Sequence, residues 1–415
     1  MSRHRSSNTT KSLKSSRPWY LCAQAVALLA AEGFLAHSAS AEVNFVPRML
    51  AHYEQNSNLF AVPESQPKKD SDGVTRLEDQ LTYYTAGFDL DHPWRRNKFR
   101  LTAEGRKFDY SHFNNLDHNE TMAAAGMDWM ATSKVWGVLD YRYEQRQTQF
   151  IDLADTATRD VVTIQTDKTV SGMINYSVTS KWRFNLGGNW LNERFPQPGI
   201  PDYNLQQTLI DTGIRYIGNA KVSTGIVAQQ TNGRYRGTTQ APKFNQTLTQ
   251  FVFDYKVGER TTMNAAIGYT TREQPGFAAN EKTSAVTGSL GYTRQLSPKT
   301  SVYVQYYRII NNYIAAGGSQ LDNNFAAGFN WQPTPKLSIA GNYGWIRSQV
   351  SGQVNFGQIQ AGRADRYRSP RVTMNYLPVR WLTLSPFYRT QKRQSNIADF
   401  QFDAKIVGID VLAKF

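Results

Sequence analysis

The chain ends Gln401-Phe402-Asp403-Ala404-Lys405-Ile406-Val407-Gly408-Ile409-Asp410-Val411-Leu412-Ala413-Lys414-Phe415, and the reading of this stretch decides the fold. Successive side chains of a β-strand point to opposite faces. With that period, Val407, Ile409, Val411, Ala413 and Phe415 share one face, while Gly408, Asp410 and Lys414 share the other and Leu412 is the apolar exception. One face suits an apolar medium and the other suits water, over about ten residues, the length of a membrane-crossing strand. Taking Phe415 and Val411 outward and Asp410 and Lys414 inward sets a parity by which the other strands are sorted.

Composition agrees with more of the same upstream. Mean hydropathy is −0.54, and no internal run approaches the roughly 18 apolar residues of a spanning helix, which excludes a helical membrane protein. Aromatic residues at 13%, with 22 Tyr and 21 Phe, fit a barrel whose rims carry aromatic girdles. A large soluble propeller would show a repeat, and none is present. A closing strand with an aromatic carboxyl terminus resembles the last strand of bacterial outer-membrane β-barrels, which the barrel assembly machinery reads. Phe415 is therefore the expected assembly signal.

The amino terminus sets the compartment. Arg3, Arg5, Lys11, Lys14 and Arg17 form a basic leader, residues 19–31 an apolar segment, and Ala39-Ser40-Ala41 a small-residue cleavage site. Residues 1–41 are the expected secretory signal peptide, cleaved after Ala41, and 42–415 the expected barrel. The single Cys, Cys22, leaves with the leader, which removes thiolate chemistry from the mature chain. The formal charge of +14 directs an exported protein toward lipopolysaccharide, anionic polymers or anionic solutes, with no nucleic acid in view.

Short polar turns recur at 91–97, 131–134, 179–181, 218–220, 258–260, 297–300, 333–336 and 378–380. Several place a turn former before Lys or Arg and an apolar residue, as in Ser133-Lys134-Val135 and Pro335-Lys336-Leu337. Spacings near 40 residues leave room for two tilted strands and an outer loop. Eight inner turns predict nine hairpins, hence an all-β, antiparallel transmembrane barrel of about 18 strands (range 16–20), with short periplasmic turns, longer extracellular loops and no plug domain. Trp182, Trp331 and Trp381 stand beside turns, where an aromatic belt belongs. Pro47 marks the first strand, around 46–53, as the weakest.

Parity turns Arg100, Glu104, Arg106, Asp140, Arg142, Glu144, Arg146, Arg183, Asp211, Arg215, Asp254, Lys256, Arg371 and Arg389 inward, a lumen lining of both signs with an Arg excess. Two roles compete for it: cross-strand pairs bracing the wall, or an electrostatic lining that selects anions or guides an acidic polymer. Phe108, Tyr303 and Phe387 are aromatic candidates on the same face. His52, His92, His112 and His118 are the mature histidines; set at strand ends, turns and loops they read as solvated, and no catalytic set forms around them. Asp70-Ser71-Asp72-Gly73 has hard oxygen ligands but lacks the rest of a calcium loop, so it reads as an acidic loop with no metal or cofactor.

Three segments carry a family resemblance: Tyr53-Glu54-Gln55-Asn56-Ser57-Asn58-Leu59-Phe60, Gly87-Phe88-Asp89-Leu90-Asp91-His92-Pro93-Trp94-Arg95-Arg96-Asn97-Lys98-Phe99, and Phe108-Asp109-Tyr110-Ser111-His112-Phe113-Asn114-Asn115-Leu116-Asp117. Together they resemble the exosortase-associated exopolysaccharide outer-membrane proteins of the EpsL type, within the β-barrel porin group; Asn56 and Ala61 depart from the pattern. The resemblance implies a non-enzymatic pore for exopolysaccharide export in the outer membrane. Its expected partners are an acidic polysaccharide, outer-membrane lipid, the barrel assembly machinery and polysaccharide export machinery. The residues alone equally permit a diffusion porin for small anionic solutes, or a structural barrel sheathing a partner protein.

Overall fold

The structure is a computed structural model describing residues 43–149, 161–195, 204–219, 221–236, 243–275, 281–312, 319–351 and 362–415. The expected leader and its cleavage site lie outside the described residues. Eighteen strands form one antiparallel sheet closed on itself. They are β1 Asn44–Asn56, β2 Asp79–Trp94, β3 Asn97–Tyr110, β4 His118–Met130, β5 Val135–Gln147, β6 Ile164–Ser177, β7 Trp182–Arg194, β8 Asn204–Ile217 and β9 Val222–Arg236. The second half comprises β10 Lys243–Val257, β11 Thr261–Gln274, β12 Glu281–Ser297, β13 Thr300–Asn312, β14 Ser319–Thr334, β15 Leu337–Ser351, β16 Ala364–Val379, β17 Leu382–Ser395 and β18 Phe402–Lys414. Each strand pairs with its neighbour in sequence, and β1 pairs with β18 from Arg48↔Lys414 to Asn56↔Ile406. Closure leaves no unpaired edge.

All eight turns expected from the sequence join strands at one end of the barrel. Their chemistry is local. Thr132 Oγ1 accepts from the backbone N–H of Lys134 and Val135, Thr179 Oγ1 from Lys181 and Trp182, and Asn219 Oδ1 from Lys221 and Val222. The turn former thus sits two residues before the Lys, where a short oxygen can take the place of a backbone acceptor. Arg95 and Gly258 supply left-handed corners at φ 55° and 65°. Register shifts at Gln295/Ser297, Trp331/Thr334 and Tyr376/Val379 lie next to turns, at the rim where barrels tolerate an extra residue.

The first strand is longer than predicted. Pro47 lies inside it, opposite Phe88, and its carbonyl accepts the N–H of Phe415 at 3.1 Å. On β18 the parity is as read: Val407 and Phe415 are exposed outward, at 51% and 66%, while Asp410 reaches His52 on the inner face. Outward positions are apolar for about nine residues above each turn and polar beyond. On β18 the change falls between Val407 and Lys405, on β17 between Tyr388 and Thr390, and on β16 between Pro370 and Arg368. An exposed apolar band of this height, edged by Trp94, Trp182, Trp331 and Trp381, is that of a barrel integral to an outer membrane.

Phe415 stacks on Trp381 of the adjacent β16–β17 turn, centroids 5.9 Å apart. Phe415→Ser removes this aromatic end while leaving the strand's pairing intact. Outer-membrane levels of folded barrel should fall severalfold, with export across the inner membrane unchanged; wild-type levels in fractionated envelopes would strip Phe415 of its assembly role.

The first outer loop corrects the sequence reading. Instead of a polar excursion, residues 57–78 fold back against the upper inner wall. Phe60 and Val62 are fully buried, packed with Leu59, Leu81, Tyr110, Phe113 and Leu116, and Ala61 lies against Phe402, Ala404 and Tyr367. The reversal turns on Ala61, at φ 52°, and on buried Asn58, which accepts from the Val62 N–H at 3.2 Å and donates to the carbonyls of Val62 and Asp403. Asp70 forms the corner of a small hairpin, Lys68–Lys69 with Thr75–Arg76. Its carboxylate accepts from the N–H of Asp72 and Val74 and ion-pairs with Arg76 at 2.6 Å. Ser71 and Gln66 then tie the loop to His112 and Asp399 of two neighbouring loops.

Candidate functional site

Below this roof, registry between strands puts a row of flat groups on the inner wall. The directly opposed pairs are His52↔Tyr83, Tyr83↔Phe108 and Phe108↔His118. Their rings stack at 4.3, 4.7 and 4.7 Å. Phe387 continues the row, 5.7 Å from His52, although β18 lies between them. The residue it crosses is Gly408, where a Cβ would stand 2.7 Å from the Phe387 ring and 2.4 Å from the Tyr53 carbonyl. The guanidinium of Arg371 caps the row 4.4 Å above Phe387. Near-parallel aromatic and cation–π contacts of this kind each add on the order of 0.5–1.5 kcal/mol beyond burial.

Charged groups form a second row around these rings. The two ring nitrogens of His52 lie 2.5 Å from Asp410 and 3.3 Å from Glu54, and Glu54 also meets Arg389 at 3.3 Å. Arg48 reaches Asp89 at 2.8 Å and Glu104 at 2.7 Å. Arg106 bonds Glu104 and lies 3.3 Å from Glu120. Arg142 and Arg146 share Glu144, and Arg146 continues to Asp167 at 2.9 Å. Arg100 contacts Asp128 and Asp140, both at 3.0 Å. The ladder crosses β1 to β6 and ends at β16–β18.

The other half of the circumference is chemically different. Buried inward positions on β7 to β15 include Asn185, Gln207, Thr231, Gln246, Thr270, Thr287 and Asn324, a wall largely of amides and hydroxyls with Glu193, Arg272 and Asp322 buried among them. Arg183 and Arg215 face each other across β7 and β8. Arg215 pairs with Asp254 at 2.5 Å, Arg183 lies over the Trp136 ring, and Asp211 sits against Gly187, with Oδ2 unpartnered among the described residues. Lys256 is exposed near the turn-side mouth, and Tyr303 lies across Gly328.

Thus Arg100 and Asp140, Glu104 and Arg106, and Arg215 and Asp254 come together in pairs and Arg142, Glu144 and Arg146 as a trio, Arg183 lies on Trp136, and Asp211 and Lys256 stand apart. The expected Arg excess does not survive. Arg48, Glu54, Asp89, Glu120, Asp128 and Asp167 were missed, and with them every ladder guanidinium meets a carboxylate except Arg371, which stacks on Phe387. The first strand's even positions, Arg48, His52 and Glu54, carry the same parity signal; Pro47 obscured it. The histidines also differ from expectation. His52 and His118 are buried within the row, and His112 pairs with Asp79 at 2.8 Å. Among the described residues no His, Cys, Asp and Glu cluster is arranged to hold a metal.

No family model and no curated protein matches this chain. The solved structures to which it is similar include three Pseudomonas aeruginosa proteins. OpdK with vanillate matches at TM-score 0.49 and 10% identity, over 90% of this chain and 99% of that one. OccK2 (OpdF) in complex with glucuronate matches at 0.49 and 10%, over 90% and 98%. OpdQ matches at 0.46 and 11%, over 91% and 99%.

Proposed function

We propose that this barrel is an outer-membrane diffusion pore for small anionic solutes, with Arg371 and Arg389 as the place where a solute's anionic group rests. The observation that carries this reading is their placement. They are direct cross-strand partners, an arrangement of like charges that costs energy. Arg371 has no carboxylate within ion-pair distance among the described residues, and Arg389 has only Glu54. A carboxylate between the two guanidiniums relieves the repulsion through charge-assisted hydrogen bonds. The amides and hydroxyls of the opposite wall offer partners for a solute's hydroxyl groups.

The inward fold of residues 57–78 favours small solutes over a polymer, because it reduces the section open to a hydrated glycan. The exopolysaccharide export implied by the EpsL-type resemblance, and the sheathing of a partner protein, are therefore alternative outcomes of one test. The barrel in planar bilayers is expected to conduct with a preference for chloride, and to admit small carboxylates in liposome swelling. Arg371→Gln should lower that preference and slow carboxylate entry without reducing folded protein. Negligible small-solute flux, with polymer synthesised but lost from the medium of a deletion strain, would favour export instead. Negligible conductance with tight co-purification of a partner would favour the sheath.

A further inference from the structure

With the lumen ladder neutralised, the basic surplus of the chain has to lie elsewhere, and much of it faces outward. Directly above the apolar band, the exposed outward positions of four adjacent strands are Arg347 on β15, Arg366 and Arg368 on β16, Lys392 on β17 and Lys405 on β18. Registry opposes like charges twice, Arg347↔Arg366 and Arg368↔Lys392. Only Lys392 has a carboxylate partner among the described residues, Asp403 at 3.3 Å. At comparable height on other strands Lys107 is paired with Asp109 at 2.8 Å and Lys282 with Glu273 at 3.0 Å, while Arg234 and Lys243 form one further opposed pair of exposed cations on β9 and β10. Among the described residues, β15–β18 is where such cations stand on four successive strands.

We propose that this patch binds the phosphorylated headgroup of a lipid in the outer leaflet. Its position selects that source. The side chains point away from the lumen, and beneath them lie the apolar outward groups Trp345, Val372, Tyr388 and Val407, so a ligand held here has its acyl chains against the band and its charge among the guanidiniums. Its width selects the headgroup. Four strands at about 4.8 Å separation span roughly 14 Å, more than one phosphate covers, so a headgroup bearing two phosphates can bridge both like-charged pairs. Arg is suited to this because its planar fork meets phosphate oxygens bidentately. Relief of the two repulsions makes binding stabilise the folded barrel.

The test uses the purified full barrel in detergent, with thermal unfolding followed by heat-modifiable migration. A glycolipid bearing two phosphates is expected to raise the transition temperature, and the same lipid without phosphates is expected to leave it unchanged. The triple variant Arg347→Gln, Arg366→Gln, Arg368→Gln should lose the rise while keeping wild-type conductance, which shows it folded. Lys107→Gln with Lys282→Gln should keep the rise. An equal rise in the triple variant, or with the dephosphorylated lipid, overturns the proposal. A full rise with inorganic phosphate alone overturns the lipid as its source. Should the triple variant fail to fold, Arg366→Gln alone must reduce the rise, and an unreduced rise overturns the site.

Discussion

Gly408→Val is expected to remove folded barrel from the outer membrane almost completely. Gly408 lies in the seam where the last strand meets the first, opposite Glu54 on one side and Phe387 on the other. A Cβ there would stand 2.4 Å from the Tyr53 carbonyl oxygen and 2.7 Å from Phe387 Cζ. The phenyl ring could swing aside, at the loss of its stack on His52. The carbonyl belongs to the ladder that closes the barrel, and cannot move without opening it. Overpacking in a fixed site typically costs about 1–3 kcal/mol, and here it falls on the one pairing that makes the sheet a cylinder. Gly105→Val is the matched control, since a Cβ at Gly105 meets nothing within 4 Å. Heat-modifiable migration of the two variants should differ sharply; equal wild-type amounts would show that the seam tolerates a side chain at Gly408.

Replacing residues 59–77 by a short Gly/Ser turn is expected to raise single-channel conductance severalfold. The excised segment carries Phe60 and Val62, buried against the upper inner wall, so its loss opens a section of the bore while the strands below remain paired. Unchanged conductance would mean that the fold-back does not limit flow. The same loop should loosen in acid. Burial alone would raise the Asp70 carboxyl, but the N–H groups of Val74 and Asp72 and the Arg76 guanidinium outweigh it and hold the group below its ordinary range. A depressed carboxylate contributes its stabilisation above its unfolded value and loses it as pH falls through the folded one. Conductance should therefore rise and become noisier on the acid side of the usual carboxylate range, and Asp70→Asn should show that behaviour already at neutral pH.

The strand count and the inner turns were legible because both rest on local chemistry. Thr132, Thr179 and Asn219 close their turns with their own side chains, and parity from Phe415 runs unbroken along β18. The charge balance of the lumen was not legible to the same degree. Whether Arg48 meets Asp89 and Glu104 depends on the register between strands, which a single strand's alternation does not encode. Pro47 deepened the problem by interrupting the pattern where Arg48, His52 and Glu54 begin. The fold-back of residues 57–78 was hidden for another reason: its few apolar residues, Leu59, Phe60 and Val62, stand among polar ones, and their burial depends on a second loop supplying Phe113 and Leu116. Asp70 likewise read as a solvated acid because its partner, Arg76, is reached only across the hairpin.

The row of rings beneath the roof spans the junction of the two chain ends. Phe387 comes from the last hairpin, His52 from the first strand, and the Gly408 between them from the final strand. In an unclosed sheet the two parts of this row would lie at opposite edges, dozens of ångströms apart, and Arg371 and Arg389 would have no Glu54 beside them. The ring row and the charged ladder of the lumen are therefore complete only once β1 and β18 have paired.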